Sequence, residues 1–199
     1  TGMGRVTAIP NMLRIDLGIL TEAERLEQAQ DENNLMSQQV IQALIQLGLL
    51  DRQIQTKQYS VRPVYDYVDG KQLLRGYQVQ HVLTITVEDL TLAGSLIDTA
   101  VKNGVNQVLN LQFFVKNEAE YYKLALHDAL HDVLGKAESI ATTLDVHLNK
   151  TPIKIEEIKQ EQPILYQTFA LEKQMTETPI QPGEIVITAE VKAYFQYHS

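Results

Sequence analysis

Gly76-Tyr77-Gln78-Val79-Gln80-His81-Val82-Leu83-Thr84-Ile85-Thr86-Val87 alternates apolar and polar side chains with one exception, Val82. Tyr77, Val79, His81, Leu83, Ile85 and Val87 share one parity; Gln78, Gln80, Thr84 and Thr86 share the other. A period of two is the mark of a strand with one wet face. Upstream lies a second strand, Ile54–Val68, and Asp69-Gly70 stands between the two. That dipeptide tolerates the positive φ of a tight turn, so the pair reads as a long hairpin. Tyr59, Tyr65 and Tyr67 lie on its first arm and Tyr77 on its second. Pro63, which has no N–H to give a ladder, marks an edge or a bulge.

Working outward, Arg5 to Ile19 reads as one strand, bulged or at an edge at Pro10. Thr21-Glu22-Ala23-Glu24 has the spacing of a capping box and predicts a helix from there to Leu47, stopped by Gly48. Its inward stripe is Leu26, Ala29, Asn33, Met36, Val40, Ala43 and Leu47. A second helix is expected over Leu92–Lys102, capped by Asp89. A short strand follows at Val108–Val115. A third helix begins at Asn117, with Glu120 completing another box, and presents Tyr122, Leu126, Ala129, Leu130, Val133, Ala137, Ile140, Ala141 and Leu144. Ile153–Ile158 and Ile185–Tyr197 are strands. Between them 159–184 is an irregular arm with three prolines, long enough to suggest a function. The order β-α-β-β-α-β-α-β-β predicts one α+β domain over 1–199, with three helices packed on one face of a mainly antiparallel sheet.

Composition narrows the function. The chain has 199 residues, 17 basic against 25 acidic, for a net charge of −8. With no basic cluster, nucleic acid is not an expected partner. There is no cysteine, which removes disulfides, thiolate metal sites and cysteine nucleophiles. No run approaches the roughly 20 apolar residues of a membrane-spanning helix. The chain begins at Thr1-Gly2 without a methionine, so a tag, signal peptide or anchor is expected upstream.

Several strings together resemble the SIMPL domain family across essentially the whole chain. They are Gly2-Met3-Gly4-Arg5-Val6 with Pro10-Asn11, Leu17-Gly18-Ile19, Gln55-Thr56 with Tyr59, and Pro63-Val64-Tyr65-Asp66-Tyr67. Gly76-Tyr77, Asn103-Gly104-Val105-Asn106, Ala125…Ala129…Lys136-Ala137 and Pro182-Gly183-Glu184 complete the set. The resemblance implies an α+β domain of bacterial proteins exported to the periplasm or cell surface. Its members assemble into large rings and have no established catalytic motif. A role in the cell envelope or in stress-related processes is implied, with self-association as the partnership. Asn11 departs from the aspartate that bacterial members often carry there, and His127, His131 and His147 match no family pattern.

Candidate chemistry is sparse. His127 and His131 are four apart on the third helix, a spacing that can hold a metal ion, but the glutamate of His-Glu-x-x-His is missing. At about 100° per residue both fall at the wet edge of the apolar face, and solvated histidines are the preferred reading. His81, in the apolar register, is read as a buried or subunit-facing histidine, with a pH switch as the alternative. Asn33 interrupts a helix stripe and should be hydrogen-bonded to the sheet or a loop, with a ligand contact as the alternative. Tyr59, Tyr65, Tyr67, Tyr77 and His81 are the interface candidates; for the tyrosines, ordinary strand surface is an equal alternative and carbohydrate or peptide stacking a lesser one. No catalytic residue, cofactor or metal is assigned. The expectation is a non-enzymatic, exported, self-assembling protein. The alternative is a module binding a peptide, sugar or small metabolite in a cleft between hairpin and arm, and a metal-assisted hydrolase is the least favoured reading.

Overall fold

The computed structural model describes residues 1–158, 164–166 and 178–198. Most of the expected arm, 159–163 and 167–177, therefore lies outside the described residues. The chain is α+β with antiparallel pairings, as the alternation predicts, and the described residues distribute their strands between two four-stranded sheets. It divides into two compact units. One is built on residues 11–113; the other combines residues 1–10 with the chain from 114 and the C-terminal strand.

The expected first strand is two strands, β1 (Gly2–Ala8) and β2 (Met12–Ala23), one in each sheet. Pro10 supplies no N–H and restricts the residue before it, so the ladder ends there instead of bulging.

In the unit over 11–113, β2 is followed by α1 (Leu26–Gln46), β3 (Ile54–Val68), β4 (Lys71–Val87), α2 (Ala93–Lys102) and β5 (Gln107–Phe114). The strand order is β3-β4-β2-β5, a split βαβ arrangement with β3 at an edge. Leu13, Ile15, Leu17 and Ile19 of β2 are wholly buried with Leu83 and Ile85 of β4, Val40 and Leu44 of α1, and Leu96 and Ala100 of α2. Each large member contributes about 1.5–3 kcal/mol by leaving water. This seam fixes both helices on one face of their sheet.

The helix α1 starts later than its capping box predicts. β2 stays paired with β4 as far as Ala23↔Tyr77, which holds Thr21 to Ala23 in the strand. The helix then begins after Arg25 with no side-chain cap. A cap is worth about 1 kcal/mol, less than the ladder and burial gained by extending the strand. Thr21 Oγ1 instead donates to the Ala29 carbonyl at 2.7 Å. The buried line of α1 is Ala29, Asn33, Ser37, Val40 and Leu44, shifted from the expected stripe toward Ser37 and Leu44. Asp89 does accept from the Thr91 N–H ahead of α2, at 2.9 Å.

In the other unit β8 (Glu184–His198) is flanked by β1 on one side and by β6 (His147–Ile158) and the short β7 (Ile164–Tyr166) on the other. The helix α3 (Glu118–Leu144) packs on this sheet through Ala125, Ala129, Val133, Ala137 and Ala141, spaced four apart. Small residues let it come close: a Cβ at Gly4 would lie 1.8 Å from the Ala125 carbonyl oxygen. The expected box at Asn117 places the helix start correctly, but Asn117 makes no side-chain cap. Leu130, Ile140 and Leu144, expected on the buried face, are 36%, 50% and 64% exposed. Close approach rewards the narrow alanine line over the bulkier leucine edge.

Candidate interaction surface

The β3–β4 hairpin outgrows the sheet that carries it. β4 loses its β2 neighbour after the Tyr77↔Ala23 pair, while β3 and β4 stay paired from Val64↔Gly76 to Val68↔Lys71. Residues 64–76 therefore form a two-stranded ribbon. Asp69 and Gly70 close it with φ of 51° and 74°, the doubly positive turn that suits strand twist. Pro63 sits on the edge strand beside a register shift at Val64/Tyr65.

The ribbon is rich in exposed apolar side chains. Tyr67 is 75% exposed, and Val68, Leu73 and Leu74 each about half. Tyr65 pairs across with Leu74 and Asp66 with Leu73, so adjacent leucines present apolar surface on both faces. An isolated hairpin is at best marginal in water, and a ribbon with apolar residues on both faces has no core of its own to bury them. Arg75 steadies its base through Glu22 at 2.6 Å and Asp66 at 3.4 Å. Lys71 and Arg75 balance Asp66 and Asp69 here, so the ribbon is formally neutral in a chain whose net charge is −8. Tyr65 and Tyr67 of the ribbon are among the interface candidates named from the sequence. Leu73 and Leu74 add to them, and their signal in the sequence is that two adjacent leucines break the alternation that begins at Gly76.

The expected interface residues do not form one patch. Tyr65 and Tyr67 lie on the ribbon. Tyr77 is half-buried at its base, facing Ala23 and Pro63 on the flanking strands. Tyr59, 45% exposed, meets His81 edge to face with ring centroids 5.5 Å apart. His81 itself is half-buried between two hydroxyls, with Nδ1 2.9 Å from Ser37 Oγ and Nε2 3.0 Å from Thr56 Oγ1. Ser37 gives its proton to Asn33 Oδ1, so His81 Nδ1–H donates to Ser37 and Nε2 accepts from Thr56. Burial holds the His81 pKa below the ordinary histidine value. The Asn33 amide is wholly buried and satisfied, donating to the Ile19 carbonyl at 3.0 Å and the Val79 carbonyl at 3.2 Å.

A buried carboxylate went unnoticed in the sequence. Asp16 is 1% exposed and accepts from Lys57 Nζ at 2.6 Å and from the Thr84 hydroxyl at 2.5 Å. Burial alone would raise its pKa. The hydrogen bonds from Lys57 and Thr84, the Lys57 charge and a bond from Asn110 outweigh burial and hold it below the usual carboxylate range. Lys57 falls at the second register shift of β3, between Thr56 and Gln58, where a bulge can re-aim a side chain. Asp16 reads as an ordinary wet-face residue because its partners lie on other strands.

His127 and His131 stand on the exposed side of α3 with their Nε2 atoms 3.1 Å apart. Among the described residues no group of three or more His, Asp or Glu side chains is arranged to hold a metal ion, and no helix is long and apolar enough to cross a membrane. The unit over 11–113 also carries an open cleft of about 590 Å³, lined in part by Met12, Leu50, Arg52, Gln55, Glu88 and Asp89.

Comparison with known proteins returns relatives of undefined biochemistry. The chain is 29% identical to the 26 kDa periplasmic immunogenic protein of Brucella melitensis, over 98% of this chain and 82% of that protein. It is 25% identical to the uncharacterized protein YggE of Escherichia coli K12, over 71% of this chain and 57% of YggE. The YggE of Edwardsiella ictaluri is likewise 25% identical, over 74% of this chain and 62% of that protein. A family-wide match extends over residues 1–195, and the chain thus belongs to the SIMPL family, described as protein of unknown function (DUF541).

Proposed function

We propose that this protein is a non-catalytic, extracytoplasmic assembly protein whose copies join through the β3–β4 ribbon. The observation that carries this reading is the ribbon's apolar surface beyond the end of β2, on both faces and beside an open strand edge. Exposed edges and apolar patches of this kind are covered in stable proteins. A second copy is the favoured occupant on charge. Residues 64–76 are formally neutral, with two basic and two acidic residues, which leaves the whole −8 on the rest of the chain. A neutral, apolar arm meets the acidic body of a neighbouring copy without like-charge repulsion. The periplasmic name of the Brucella relative supports the extracytoplasmic placement.

Light scattering coupled to size exclusion tests the assembly. The wild type should exceed the 22.5 kDa of one chain, and Leu73→Ser/Leu74→Ser should reduce its mass. A strict monomer at high concentration contradicts the proposal.

The 590 Å³ cleft supports a second reading, a module for a small ligand, since its volume lies in the range of small-molecule pockets. Thermal shift against peptides, sugars and metabolites tests that reading: stabilisation by one of them supports it, and an unchanged midpoint throughout counts against it.

A further inference from the structure

The geometry of His127 and His131 carries more than their spacing. They sit one turn apart near the middle of α3, whose opposite flank is pinned by buried Ala125, Ala129 and Val133. Their rings meet at 64° with centroids 4.4 Å apart, and the Nε2 atoms face each other at 3.1 Å. Imidazole nitrogens bind zinc-like ions at about 2.0–2.1 Å. Two such nitrogens 3.1 Å apart subtend about 98° at the metal, between a square-planar and a tetrahedral angle. The two side chains already stand at a chelating separation, and an ion would take the place of the proton now shared between them. On the far side of the first ring, His127 Nδ1 faces Asp128 Oδ1 at 3.7 Å. That separation is too long for a hydrogen bond, so the chelate rests on the two Nε2 atoms alone.

We propose that His127 and His131 form a two-point chelate for a borderline divalent transition ion of the Zn²⁺, Ni²⁺ or Cu²⁺ type. Imidazole donors select these ions over Mg²⁺ and Ca²⁺, which take oxygen ligands. With two protein ligands the ion keeps positions open to water or to a donor from another molecule. The site needs neither the ribbon nor the assembly proposed above.

The test is calorimetric titration of the untagged full chain, stripped with EDTA, with ZnCl₂ and NiCl₂. His147 and His198 face each other across β6 and β8, so His147→Ala/His198→Ala serves as the reference background. One equivalent should bind to that background. Either His127→Ala or His131→Ala should weaken binding by about tenfold or more, with helix content unchanged by circular dichroism. The same ions should raise the Tm of the reference and not of the His131→Ala variant. Absence of binding heat in the reference, or undiminished affinity in the His127→Ala/His131→Ala variant, overturns the proposal.

Discussion

Replacing Gly4 by alanine should loosen α3 from its sheet. The new Cβ would stand 1.8 Å from the Ala125 carbonyl oxygen and 2.6 Å from the Ala129 nitrogen, where ordinary contact is 3.4–4 Å. Both neighbours are backbone, so no rotamer change relieves the clash, and the helix must retreat by more than an ångström. Overpacking of this kind costs about 1–3 kcal/mol. Alanine returns about 0.4–1 kcal/mol by restricting the unfolded chain. The net is a loss of about 1–2 kcal/mol. With a urea m-value of about 2 kcal/mol/M, the midpoint should fall by about 0.5–1 M. Gly135→Ala is the matched control, because it lies inside α3 with nothing within 4 Å of the added Cβ. There the same chemical change should stabilise by about 0.5–1 kcal/mol. Gly4→Ala with a midpoint at or above wild type would refute the close approach of α3 to β1.

Four further outcomes follow from the buried polar groups and their partners. Lys57→Met should cost about 1.5–3 kcal/mol at neutral pH, the worth of a hydrogen bond to a charged group, as read by urea unfolding. Because the Asp16 pKa is lower in the folded state, the unfolded chain takes up the proton first as pH falls. Its stabilisation is thus present above the ordinary aspartate range and lost on acidification below about pH 4. Asp16→Asn should flatten that part of the stability–pH curve. Burial likewise lowers the His81 pKa, so stability should fall as pH drops through the ordinary histidine range near 6.5, and His81→Gln should remove that slope. Asn33→Ala removes two buried hydrogen bonds, to the Ile19 and Val79 carbonyls, and should destabilise by about 1–3 kcal/mol, at about 0.5–1.5 kcal/mol each, as read by thermal unfolding.

The strand periodicity and the turn were legible because they are local. The alternation from Gly76 to Val87 and the Asp69-Gly70 turn need no distant partner to be recognised. Asn33 was legible as a bonded amide because it is polar within an apolar helical stripe. Competing long-range terms defeated other readings. Thr21 and Glu24 spell a cap, yet β4 extends the preceding strand through them. Leu130 and Leu144 are the larger apolar residues of α3, yet the glycines of β1 reward the alanine line instead. Asp16 looks like a solvent-facing residue until Lys57 and Thr84 arrive from two other strands. The ribbon's apolar surface depends on β2 ending before the hairpin does, a difference in strand length that no single stretch of sequence displays.

A single cysteine at Tyr67 probes the covering of the ribbon most directly, because the chain has no native cysteine and Tyr67 is 75% exposed in the isolated chain. Maleimide labelling of Tyr67→Cys should be slow in concentrated protein and accelerate on dilution, while Ser139→Cys on the exposed side of α3 should label at one rate throughout. Equal, concentration-independent rates at both positions would contradict an assembly made through the hairpin.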